Sequence, residues 1–428
     1  MKKYMSAIAV FAALSIPSFA RGPVYGIVDL PVPLFGQQTN SWCWAASGQM
    51  VMKYFGVSES QATQATYQFG TKAGVNCADN PTPPACISGG SVEIAHYGFT
   101  FSQLGGNSCL TPAQIEDQVY TRDEPWIINP NSPGFGHVLV AVGFINLENI
   151  VPNLYFVGIN DPWPAVATYN SQGQPTGPVN GDFYWEPYDC YQEGVWEGTK
   201  HSEGYDLYNI VPPKTFTAKH PRVMLGGSLD LKQIPKALAL RVLQGNADST
   251  KAATDALELA SLLVTAESAP KLGFPSVAAL KAAHLGKAVE QYTFSTSKLK
   301  TRVAARPPSE ILEKVPALYF PIEGDPLIHA SIRMRKVGDV WKLATFGSPA
   351  VSRAWQKLAA AGSKFLVTVE SAETAFSGRR EGTKLFLSPL FDHPALKLRA
   401  RVEQRAVDVL PILTDAAKRY VPSTLRAP

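Results

Sequence analysis

The sequence predicts an α+β protein in two parts. Within the first part, segments with helical spacing come first and short β-rich runs come later, which divides it into a helical half and a sheet half. All five cysteines and six of the eight tryptophans lie before residue 200, and after about residue 220 Ala, Leu, Lys and Arg dominate. A chain of 428 residues also exceeds what one compact domain usually needs. The stretch from Pro212-Pro213-Lys214 to Lys219-His220-Pro221 reads as a linker, so the expected division is a leader at 1–20, a first domain at 21–214 and a second α+β domain at 215–428.

The N-terminus begins with Lys2 and Lys3, an apolar run from Ala7 to Ile16, and then Ser18-Phe19-Ala20. This is the pattern of a secretory signal peptide cleaved after about Ala20. A buried helix or membrane anchor is the plainer alternative, but the run is short for a bilayer. The expected location is secreted or periplasmic. No later segment is long and apolar enough for a transmembrane helix. Removal of the two lysines lowers the formal net charge of +4 by two, too mild to imply nucleic acid. A hydrophobic content of 45% with 17% charged residues describes a folded protein.

Trp42 to Phe55 reads as a helix, with Ala45, Ala46, Met50 and Val51 small or apolar and Gly56 as a stop signal. Ser91 to Tyr97 is a shorter helical candidate. Thr111-Pro112-Ala113-Gln114 has the form of a capping box with proline at the first helical position, opening a helix to about Tyr120. The period then changes. Trp126–Ile128, His137–Phe144 and Leu154–Ile159 read as strands. The second part offers helices near Leu231–Leu243, Thr250–Glu267, Val277–Gln291 and Ala350–Ala361. Its strands are expected at Ala317–Ile322, Ile328–Arg335, Trp341–Phe346, Phe365–Val369 and Leu385–Leu387, with a hairpin turn at Gly338-Asp339.

Export permits disulfides. Five cysteines are an odd number, so at least one thiol is left outside intramolecular pairs. The partition favoured is Cys43 as the thiol, Cys77 with Cys86 around the proline-rich loop Asn80–Pro84, and Cys109 with Cys190, the other pairings remaining open.

Cys43 stands at a helix start, where unpaired N–H groups and the positive end of the dipole favour an anion. A buried structural cysteine is the bland alternative. A cysteine nucleophile needs a base. His137 follows Gly134-Phe135-Gly136 and precedes an apolar run, which places it at a strand mouth; His96 and His201 are weaker rivals. A third group must orient the imidazole. Asn160-Asp161-Pro162-Trp163 ends the next strand, and either Asp161 or Asn160 fits, although Asn-Asp-Pro is also common in plain turns. Gln37, six residues before Cys43, supplies an amide that with the Cys43 N–H would form an oxyanion hole; Gln38 beside it leaves the register open by one. No His-x-x-x-His, CxxC, Walker or Rossmann pattern is present, so no metal and no cofactor is expected.

The series Gln37, Cys43-Trp44-Ala45-Ala46-Ser47, Gly136-His137-Val138 and Asn160-Asp161-Pro162-Trp163 resembles the papain-like cysteine peptidases, over residues about 30 to 210. It is closest in character to their bacterial branch of double-glycine (bacteriocin-processing) peptidases and secreted effector proteases. The resemblance implies a two-lobed papain-like domain and a catalytic set of Cys43, His137, Asp161 and Gln37, with aspartate preferred because the third member in that branch is typically an aspartate followed by proline. Thr39-Asn40 replaces the Cys-Gly of the plant-type motif, so the disulfide made from that cysteine is not expected. Only about sixteen residues separate Gln37 from the leader, too few for the usual inhibitory propeptide. The second domain faintly resembles a cystatin-like unit.

The function expected is thus a secreted cysteine endopeptidase acting on protein or peptide substrates. Acyl transfer or amide hydrolysis on cell-wall or other non-protein amides uses the same residues. A non-catalytic papain-like binding module is the third reading.

Overall fold

The computed structural model describes residues 25–39, 41–70, 89–106, 108–132, 135–166, 176, 179–214, 231–302, 307–324 and 327–419. The leader, Cys77, Cys86 and most of the expected linker lie outside the described residues.

The first helix, α1 (Cys43–Tyr54), is buried on nearly every side. Its small residues make this possible: Ala45, Ala46, Ser47 and Gly48 let neighbouring elements approach the backbone closely. Gly56, in a left-handed conformation, ends the segment after Phe55, as expected. The short α2 (Gln61–Ala65) packs beside α1 and is capped by Ser60. The capping box predicted at Thr111 forms in α3 (Pro112–Glu116), after which the helix widens to a π-helical turn at Asp117–Arg122.

The strands of the first part are β1 (Gly26–Asp29), β2 (Thr100–Leu104), β3 (Trp126–Ser132), β4 (Phe135–Gly136), β5 (Leu139–Asn146), β6 (Tyr155–Val166), β7 (Asn180–Pro187), β8 (Val195–Trp196), β9 (Thr199–Lys200) and β10 (Glu203–Val211). β5 is their centre. It pairs antiparallel with β6 along one side, and on the other with β3 at Leu139–Ala141 and β1 at Gly143–Asn146. β10 joins β3 to β2, and β7 lies outside β6. Every residue of β5 is buried, because α1 packs against it on one face.

The second part continues the same sheet. Its strands are β11 (His284–Leu285), β12 (Val289–Phe294), β13 (Leu312–Glu323), β14 (Ile328–Val337), β15 (Val340–Gly347), β16 (Phe365–Val369), β17 (Thr374–Glu381), β18 (Lys384–Pro389) and β19 (Gln404–Arg405). β15 pairs with β7 through Phe346 opposite Trp185 and Gly347 opposite Tyr184. From there β14, β13 and β12 follow, then β16 parallel to β12, then β17 and β18. Among the described residues, seventeen strands are hydrogen-bonded into one mixed sheet. The principal helices of this part are α4 (Lys236–Gln244), α5 (Ser249–Leu263), α6 (Pro349–Ala360) and α7 (Ala406–Arg419).

Side chains reinforce the junction. Arg333 of β14 makes a bidentate pair with Glu197 at 2.7 and 2.6 Å, both buried. Asp182 of β7 accepts from the Ala350 and Val351 N–H groups at 3.2 and 3.5 Å, so a carboxylate of the first part caps the helix α6 of the second. Lys271 reaches Asp29 at 2.7 Å.

Two expectations need correction. Val277–Gln291 is helical only over Val277–Ala282. From Val289 burial alternates residue by residue, the period of a strand, and β12 forms there. Cys109 and Cys190 are not bridged. The Cys190 sulfur is turned toward the Leu343 carbonyl at 3.8 Å, in a cluster with Val195 and Ala344, whereas the Cys109 sulfur faces the Tyr188 hydroxyl at 3.9 Å. Cys190 is thus built into the junction with β15, away from its expected partner.

Candidate active site

Cys43 is the first residue of α1, so its sulfur sits at the positive end of the helix. Ser47, one turn on and on the same face, donates its hydroxyl to the Val138 carbonyl at 2.9 Å. That bond docks the face bearing Cys43 onto the chain beside His137. The small Cys-x-x-x-Ser spacing therefore has a mechanical reason.

His137 lies between β4 and β5. Its backbone is fixed from two directions: its N–H donates to Pro130 O at 3.1 Å, and its carbonyl accepts from the Asn129 amide at 2.6 Å. The Nε2 side of the ring meets Asp161 Oδ1 at 2.7 Å. With Nε2 so engaged, Nδ1 is the nitrogen available to the Cys43 thiol, which is a hydrogen-bonding neighbour of the ring. Burial works against a charged imidazole. The Asp161 carboxylate and the Cys43 sulfur outweigh it, and His137 titrates well above the ordinary histidine range.

Asp161 sits inside β6, which runs past the Ile159 end expected for that strand. Besides His137, its Oδ1 accepts from the Trp163 N–H at 2.8 Å and its Oδ2 from the Trp196 indole at 3.0 Å. Asn160 points elsewhere, its amide donating to Val32 O at 3.3 Å. Trp196 also lies against the imidazole, ring centroids 5.0 Å apart, and shields the His137–Asp161 pair from water.

Gln37 is fully buried and anchored by its N–H to Pro162 O at 2.9 Å. Gln38 beside it donates its backbone N–H to the Gln61 side-chain oxygen at 2.8 Å. The sequence brings Gln37, Cys43, His137 and Asp161 from four segments into one buried cluster. Residues 26–173, which contain all four, match the family model described as papain-like cysteine protease AvrRpt2. This stretch is a papain-like cysteine peptidase.

The match covers about a third of the chain. No curated protein and no solved structure matches the chain. A peptidase acts on protein or peptide substrates, and among the described residues no helix is long and apolar enough to cross a membrane. The cluster contains two further residues that sequence reading missed, both beyond the matched stretch. Trp196 is one. The other is Glu373, at the turn between β16 and β17, whose carboxylate Oε2 accepts from the Gln37 side-chain amide at 2.7 Å. One ligating atom each of Cys43, His137 and Glu373 lie within 4.8 Å of one another, a thiol, imidazole and carboxylate set that a zinc-like cation would also accept. Nothing in the local sequence Ser371-Ala372-Glu373-Thr374 marks this glutamate.

The rival histidines are placed too. His96 stacks on Tyr67, ring centroids 3.4 Å apart. His201 approaches Glu370 at 3.7 Å, and burial first, then the charge of His137, holds its pKa down to about 4, so it stays neutral.

Proposed function

We propose that this chain is an exported cysteine endopeptidase in which Cys43 is the nucleophile, His137 the acid and base, Asp161 the orienting group and Gln37 an oxyanion donor. The observation that carries the reading is the His137–Asp161 hydrogen bond at 2.7 Å with Cys43 on the remaining side of the ring. The N-terminal basic and apolar pattern supports export.

In this reaction the Cys43 sulfur attacks the peptide carbonyl carbon, and the carbonyl π pair moves onto oxygen. The Gln37 amide and the Cys43 N–H, at the start of the helix, stabilise that oxyanion. The His137 imidazolium transfers its Nδ1 proton to the leaving nitrogen as the C–N bond breaks, leaving a thioester. Water then gives a proton to His137 and attacks the thioester, and the thiolate departs, to be paired again with the imidazolium. Asp161 keeps the ring in one orientation through both halves.

The test is hydrolysis of casein, with purified cell wall as a parallel substrate, by the chain and by Cys43→Ala. An epoxide thiol inhibitor should modify Cys43 in the folded protein. Activity that persists in Cys43→Ala overturns the assignment, and release from cell wall without casein cleavage moves the substrate to a non-protein amide.

A further inference from the structure

We infer that the chain beyond residue 231 acts as the inhibitor of its own peptidase unit, with Glu373 held where the oxyanion of a substrate would form. This rests on the assignment of Cys43 and Gln37 above.

Glu373 reaches the site from outside the peptidase segment, 336 residues beyond Gln37. Its carboxylate oxygen takes the hydrogen bond that an oxyanion donor offers to substrate, at 2.7 Å and with both groups buried. The carboxyl group sets an acceptor oxygen where a tetrahedral oxyanion would form. It is also a poor acyl donor, since attack by sulfur would have to expel oxide. It can therefore fill the site without being consumed.

The turn that carries it is held on several sides. The Glu373 carbonyl accepts from the Trp163 indole at 2.9 Å, and Trp163 is in turn covered by Phe391, ring centroids 5.7 Å apart. The His393 Nδ1 accepts from the Leu396 N–H at 3.3 Å, which leaves the proton on Nε2 to be donated to the Ala372 carbonyl at 2.9 Å. β16 and β17 pair directly on either side, Val369 opposite Thr374. Glu373 itself is in the left-handed region at φ 40°, where a non-glycine residue is strained. Such strain persists only where surrounding contacts impose it, and here they aim a side chain at the nucleophile.

The consequence is closure. Cys43 and Gln37 have no exposed surface, and His137 is 1% exposed. A peptide cannot reach the sulfur while Glu373 and its turn are in place. Latency in this protein comes from the chain beyond residue 231.

The experiment follows reaction of Cys43 with iodoacetamide in the full chain by peptide mass spectrometry, with Cys190 as an internal control. Cys190 is buried at the junction of the two parts and reports unfolding or separation. Glu373→Ala should accelerate modification of Cys43 by about tenfold or more, the equivalent of one hydrogen bond, with Cys190 unchanged. Glu373→Gln, which keeps the shape and an acceptor, should stay slow. Unchanged Cys43 reactivity in Glu373→Ala overturns the inference, as does a parallel rise at Cys190. A fall in peptide hydrolysis in Glu373→Ala at unchanged Cys43 reactivity would also overturn it, making Glu373 a positioning residue. Hydrolysis that survives Cys43→Ala sinks the peptidase assignment instead, and leaves the labelling result standing.

Discussion

Gln37 donates its side-chain amide to the carboxylate of Glu373 at 2.7 Å, and both are buried. The bond joins a loop before the first helix to a turn in the second part of the chain. It therefore links the chemistry of the site to how the two parts are docked.

The titration of Glu373 follows from this burial. Burial raises its pKa to about 7, against the opposing pull of His137 and the Gln37 hydrogen bond. Asp161 faces the same carboxyl and raises it further, while Cys43 lies alongside and Glu370, itself raised to about 7 by burial and by Glu313, sits in the same turn. The neutral His201 and His393 complete the surroundings. A carboxyl with a raised pKa in the closed state binds its proton more tightly there than when open. Closure is thus fully favoured below the ordinary carboxyl value and is lost as pH rises through about 7. The difference amounts to about 3 kcal/mol. The Cys43 alkylation rate of wild type, divided by that of Glu373→Gln, should climb between pH 5 and 8. A flat ratio would exclude titration of Glu373 as the source.

Asp161 accepts from His137, from the Trp163 N–H and from the Trp196 indole. Asp161→Ala leaves three buried N–H donors without this partner and removes the charge that holds His137 protonated. Measured in a Glu373→Ala background, where Cys43 is accessible, hydrolysis should fall by about a thousandfold. The pH profile of Cys43 alkylation should move with it, since the imidazolium partner is lost. An intact profile would mean that another group orients the ring.

Gly181 makes the same site depend on a residue without chemistry. A Cβ there would collide with the Asp161 carbonyl oxygen and lie 3.0 Å from Pro162 Cα, both backbone atoms that cannot rotate away. Gly181→Ala should push β7 from β6 and shift Asp161 off His137, lowering hydrolysis in the same background by about a hundredfold while the chain stays folded. The check is activity alongside circular dichroism; activity within twofold of the parent would show that the strand pair absorbs the methyl group.

How much of this was legible depends on the range of the interactions. α1 was readable because a buried helix needs a run such as Ala45-Ala46-Ser47-Gly48, and the Thr111 box because a cap is local. β14 and β15 announced themselves by alternation and the Gly338 turn. His137 and Asp161 could be picked out because each stands at the edge of an apolar run. Trp196, β7 and Glu373 could not. Their positions are set by packing between segments far apart in sequence, and no local pattern encodes that. The Cys109–Cys190 expectation failed for the same reason: counting cysteines says nothing about which strand each one packs against. Asn160 and Asp161 are one alternation step apart, which turns their side chains to opposite faces, and it is Asp161 that meets His137.

The junction itself is testable at Arg333. Its guanidinium is 2% exposed and holds Glu197 by two hydrogen bonds. Burial raises the Glu197 carboxyl while Arg333 lowers it. Arg333→Met leaves that carboxyl buried without its cation, a change that typically costs about 3–5 kcal/mol. Urea should unfold the variant at lower concentration, and Cys190 beside β15 should become reactive earlier than in wild type. With Arg333 gone, the folded-state pKa of Glu197 lies above its unfolded value, so the folded variant gains a proton as pH falls. The loss should therefore shrink toward pH 4 and be largest near neutrality. Pairing Arg333→Met with Glu197→Leu should recover most of it, because the uncompensated charge is removed. If the double variant is as unstable as the single one, the ion pair is not what the junction loses, and packing against Tyr319, 6.0 Å from the guanidinium, becomes the cause to test.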